Sequence, residues 1–152
     1  MDAAGQRELA VSTFNRVWEL LELPERALEE TDEMIHAAHV SCYVWSRIGT
    51  AANVARGEWQ CARVYAALGR AEPALWHAGR GLELNEAGGE GFEDWDLPSA
   101  QQGMAHAQLV AGDREEALRW GGRARAALRT RGGSGGQGAH REPDQRARSL
   151  DD

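Results

Sequence analysis

A short motif that occurs twice constrains this chain more than any other feature. Gly69-Arg70-Ala71-Glu72-Pro73-Ala74-Leu75 returns as Gly112-Asp113-Arg114-Glu115-Glu116-Ala117-Leu118. In each copy a helical pattern stops at glycine, turns, and resumes with Ala-Leu on the next buried face. A repeated helix–turn–helix marks a solenoid, whose units bury their apolar faces only by stacking on one another.

The rest of the chain fits the same plan. A first helix is predicted over 6–22, where Ala10, Phe14, Val17, Trp18 and Leu21 recur every three or four residues. Leu23-Pro24 ends it, because proline excludes its predecessor from helical dihedrals. The second helix starts either at Pro24 or at Thr31 and runs to Arg47, with Ile35, Ala38, Cys42 and Trp45 as its buried stripe. Gly49 breaks the pattern and Thr50 caps a third helix over 51–68. A fourth runs over 72–84, with Pro73 in its first turn. The segment 85–91 holds too much glycine for a helix. Asp96 or Ser99 opens the fifth helix, which ends near Ala111, and Asp113 caps the sixth, which reaches Leu128. No segment alternates like a strand. Residues 1–130 therefore form one helical domain, and 131–152 a disordered, Gly-rich polar tail unable to offset its own ordering entropy.

Residues 58–84 and 101–128 resemble tetratricopeptide repeats (TPR). Cys61-Ala62 stands in the Leu-Gly slot, Tyr65 in the tyrosine slot, and Gly69 at the turn. Ala74 is the small residue where paired helices cross, and Leu82 fills the late leucine slot. Met104-Ala105, Gly112, Ala117 and Ala124 match in the second unit. Ala78 and Gly121 replace the usual large aromatic, neither unit has the closing proline, and Trp76 and Trp120 are candidates to fill the gaps. The two turns lie 43 residues apart, against about 34 for this repeat, which locates an insertion of about nine residues at 86–96. The string from Arg56 to Asp96 also resembles a group of short bacterial proteins of this type, which carries no activity across. The resemblance implies an all-α fold of three antiparallel helix hairpins stacked as a short TPR-like right-handed solenoid. The first helix of each pair then lines a concave groove.

Composition narrows the function classes. A net charge of −7 argues against a nucleic-acid or anionic-membrane partner. No apolar run is long enough to span a membrane, and the first residues lack the apolar stretch of a secretion signal. Cys42 and Cys61 sit inside helical patterns and read as small apolar residues of a reducing compartment, so the expected location is the cytoplasm. The Lys-free, Ala/Arg/Gly-rich bias points to a bacterium of high genomic GC. No phosphate loop, CxxC pair, nucleophile elbow or HExxH motif is present, and no cofactor is expected.

Two groups of residues carry candidate chemistry. In the groove register Arg56, Trp59 and Arg63 project from helix three, beside Ser99, Gln102 and His106 of helix five. Two guanidiniums flanking an indole suit an anionic or aromatic ligand, while the bland alternative is that the arginines pair with Glu58 or the acidic insertion. Trp95, in Glu93-Asp94-Trp95-Asp96-Leu97, either lids the groove or packs over its neighbour while Asp96 caps helix five. Trp18, Trp45 and Trp76 read as core. The second group is His36 and His39, on one face of helix two, with His77, Glu58 and Asp94. Spacing does not show whether they converge on an acid/base or metal site or only bond at helix interfaces.

The leading expectation is a binding module that holds a protein segment or a small molecule in the groove. The alternative, from another class, is a small enzyme or metal-binding protein using the histidines and carboxylates. Trp120 beside Gly121-Gly122 also leaves room for a homodimer through helix six or helix one.

Overall fold

The structure, a computed structural model, describes residues 1–131. Among them are six α-helices and no strand: α1 (Ala3–Glu22), α2 (Leu28–Ile48), α3 (Ala51–Ala67), α4 (Ala71–Ala87), α5 (Asp96–Val110) and α6 (Arg114–Arg131). None of the six is long and apolar enough to cross a membrane. The tail expected beyond position 131 lies outside the described residues.

Side-chain caps set several helix starts. Asp2 Oδ1 accepts the Gly5 N–H at 2.8 Å to open α1, and Asp113 Oδ1 accepts the Glu116 N–H at 3.0 Å to open α6. Thr50 and Asn53 cap α3 reciprocally: Thr50 Oγ1 accepts the Asn53 N–H, and Asn53 Oδ1 accepts the Thr50 N–H. The start of α2 falls at neither Pro24 nor Thr31. Glu30 reaches back to accept the Ala27 N–H at 2.8 Å, and this fixes the first turn at Leu28.

The repeated motif forms the same turn twice. The Gly69 N–H donates to Ala66 O and the Arg70 N–H to Tyr65 O; 43 residues on, Gly112 donates to Leu109 O and Asp113 to Gln108 O. This pair of bonds is the Schellman closure, which needs a left-handed residue after the helix cap. Gly69 and Gly112 supply it, at φ 70° and 84°.

Packing explains which faces are buried. Each helix packs on the next in sequence, and α3 also packs on α1 and α5. Surrounded in this way, α3 buries residues on every side, from Ala52 to Val64. One core cluster joins α1, α2 and α3 through Val17, Leu20, Met34, Ala38, Cys61 and Val64. A second, rich in alanine, joins α3, α4 and α5 through Ala62, Ala74, Ala78, Leu82, Met104 and Ala107.

Two expectations about buried faces are corrected. The buried face of α2 is Met34, Ala37, Ala38, Ser41 and Trp45, with Ile35 and Cys42 only half-buried at its edge. Ser41 belongs to that face because its Oγ donates to Ala10 O of α1 at 2.7 Å. Trp76 is 64% exposed rather than core, since Ala74 and Ala78 take the buried face of α4 and residues two apart do not share a face. Trp120 fills part of the space instead: it packs against the alanine-rich cluster, with the Arg123 guanidinium 4.5 Å from its ring centre.

Candidate functional site

The face of α3 toward α1 and α5 holds Arg56 and Trp59. Arg56 donates to both oxygens of Asp96 at 2.9 Å and to Gly91 O at 3.0 Å, while the Trp95 ring lies 4.7 Å from its guanidinium carbon. Both charged side chains are 3% exposed. The loop before α5 is therefore bolted to α3 by a bidentate ion pair, a geometry only arginine supplies. Asp96 does not cap α5; it accepts from Arg56 and from the Glu93 N–H at 2.7 Å.

Trp59 is also enclosed. Its ring lies 5.2 Å from that of Trp18, which meets Phe14 edge-on at 5.9 Å. Gly103 of α5 approaches so closely that a Cβ there would lie 2.9 Å from Trp59 Cδ1. Neither indole N–H of the pair has a protein acceptor. Arg56 and Trp59 thus serve helix packing and present no open groove surface. Gln102 is exposed, and Arg63 and His106 are half-buried.

The opposite side of α3 gathers the second group. Glu58, Cys61 and Tyr65 are spaced by three and four residues and so share one stripe. His39 reaches that stripe from α2 and His77 from α4. His77 Nδ1 lies 2.6 Å from Glu58 Oε2, and His39 Nε2 lies 2.8 Å from Tyr65 Oη. The Tyr65 and His77 rings stack within 8° of parallel at 5.7 Å, and the two imidazoles meet edge-on at 5.3 Å. Cys61, fully buried, lies beneath them: one ligating atom each from His39, Cys61 and His77 lie within 4.8 Å of one another.

The electrostatics follow from this crowding. Burial, with the neighbouring His77, pushes the His39 imidazole below its ordinary value, against the opposing pull of Glu58. The contact with Cys42 and burial push the Cys61 thiol well up, which favours its protonated form at neutral pH. Burial also raises Tyr65. A neutral imidazole, an imidazole held by a carboxylate, a phenol and a thiol can together donate hydrogen bonds and ligate a soft cation.

Of the predicted acid/base or metal residues, the structure brings together His39, His77 and Glu58. His36 is exposed one turn away, and Asp94 is exposed in the loop before α5. Cys61 and Tyr65 were missed as site residues because both stand where the sequence pattern predicts helix packing. Their register with Glu58 was the available signal. An open depression along Leu75, Trp76, Gly79, Arg80 and Glu83 is lined by α4 alone and encloses nothing.

No protein-family model, curated protein or solved structure matches this chain.

Proposed function

We propose that this chain is a short TPR-like helical-repeat module that binds its ligand where side chains of α2 and α4 meet over α3. The packing of α1, α3 and α5 side by side, with two identical Schellman turns, supports a stacked-hairpin solenoid. The α1–α3–α5 side is filled by Trp18, Trp59, Arg56 and the insertion, which moves the binding surface away from the expected groove. The observation that carries the reading is the His39–Tyr65–His77–Glu58 array, in which three helices bring four hydrogen-bonding side chains to one partly exposed place. Loops and helix faces that only pack do not need such polar convergence.

One exposed aromatic shares the helix face of the array: Tyr43, 67% exposed, lies one turn beyond His39 on α2. It offers apolar contact to the same ligand. The test is native mass spectrometry of the protein isolated from its host, comparing wild type with a His39→Ala/Tyr65→Phe variant. A species that co-purifies with wild type should be lost from the variant while helicity is retained. The same species held equally by both proteins would exclude this surface.

A further inference from the structure

The donor set within the array is more specific than its shape. A buried thiol and two imidazoles, with a carboxylate behind one of them, come from three different helices. We propose that His39, Cys61 and His77 form a binding site for a transition-metal ion of the Zn2+ class. The inference rests on the binding reading above and deepens it by naming the ligand.

Three observations carry it. First, the ligating atoms lie within 4.8 Å of one another, whereas ligands on one tetrahedral zinc stand roughly 3.3–3.7 Å apart, given bonds of about 2.0–2.3 Å. The donors must close by up to about 1 Å when an ion binds. Second, Glu58 Oε2 already holds His77 Nδ1 at 2.6 Å. That leaves Nε2 as the electron-pair donor in the neutral ring, the carboxylate–histidine–metal arrangement that fixes a ligand's tautomer and raises its basicity. Third, Tyr65 bonds His39 at 2.8 Å and stacks on His77, so both rings are already oriented before any ion arrives. Held ligands lose less freedom on binding.

The chemistry balances simply. The Cys61 S–H bond breaks, the sulfur forms a bond to the metal as thiolate, and the proton goes to solvent. One thiolate and two imidazoles select a borderline or soft ion over Mg2+ or Ca2+. Three protein ligands leave a fourth position for water or for a group on a bound partner.

The test uses the full, reduced chain and Co2+ as a spectroscopic probe, with Zn2+ as competitor. Equimolar Co2+ should give a near-ultraviolet thiolate charge-transfer band and a strong tetrahedral visible band, both bleached by Zn2+. His39→Ala and His77→Ala should each weaken Co2+ binding at least tenfold, and Glu58→Gln by about 10–100-fold. Cys61→Ser should lose the charge-transfer band, whereas Cys42→Ser and His36→Ala should keep it. Circular dichroism checks that each variant is folded. Absence of the thiolate band in folded wild type would overturn the site. So would a band unchanged in both histidine variants, or one lost in Cys42→Ser alone. If cobalt fails while His39→Ala/Tyr65→Phe still loses a co-purifying species, the metal inference falls and the binding surface stands.

Discussion

Arg56 and Asp96, forty residues apart in sequence, meet through two hydrogen bonds of 2.9 Å with both side chains 3% exposed. Breaking such a pair from one side leaves a buried charge without its partner, a loss of about 3–5 kcal/mol. Arg56→Met and Asp96→Asn should each lower stability to that degree in urea denaturation. Replacing both by apolar residues should recover much of the loss. Single variants within about 1 kcal/mol of wild type would mean that the loop before α5 is not anchored here.

Three glycines should respond differently to alanine. At Gly57 a Cβ would lie 2.9–3.1 Å from the Cys42 Sγ, Cα and Cβ atoms, so α2 must move off α3. At Gly103 it would lie 2.9 Å from the enclosed Trp59 ring. Both substitutions should cost about 1–3 kcal/mol by overpacking. Gly79 meets nothing within 4 Å inside α4, and alanine there should stabilise by up to about 1 kcal/mol through helix propensity. Thermal unfolding of the three variants reads out the signs.

The tryptophans separate in the same way. Trp76→Ala should change stability by no more than about 0.5 kcal/mol, as at other exposed positions. Trp59→Ala, at 3% exposure beside Trp18, should cost about 3–5 kcal/mol. Acrylamide should quench Trp76 and leave Trp59 shielded, as shown by comparing the spectra of Trp76→Phe and wild type.

Acid should act through the α1–α2 contact. Glu33 accepts two hydrogen bonds from Arg16, at 2.7 and 3.1 Å, and that contact holds its carboxyl below the ordinary 4.5. Because the folded value is the lower one, the folded state binds fewer protons. The contribution is present above the ordinary value and is lost as pH falls through the folded one. Arg16→Gln should therefore lie below wild type in melting temperature near neutrality and converge with it in acid. Added salt should shrink the difference, since the pair is exposed. A gap that persists in acid would assign the effect to packing instead.

What the sequence determined by itself is local. Gly69 and Gly112 need left-handed dihedrals, Thr50 and Asp113 can bond the first free N–H groups of a helix, and Pro24 cannot continue one. Each acts within a few residues, so helix number and most boundaries were legible. Glu30 moved the start of α2 because its reach back to Ala27 competed with the caps read from Pro24 and Thr31. Tertiary structure decided which faces of α3 became packing and which became a candidate site. Arg56 and Trp59 read as groove residues until Asp96 and Trp18 arrived from distant helices and enclosed them. Glu58, Cys61 and Tyr65 were legible only as a stripe, and His39 and His77 only as isolated imidazoles. Their convergence depends on how α2 and α4 pack against α3. That packing is fixed by apolar contacts spread along each helix, which no local spacing records.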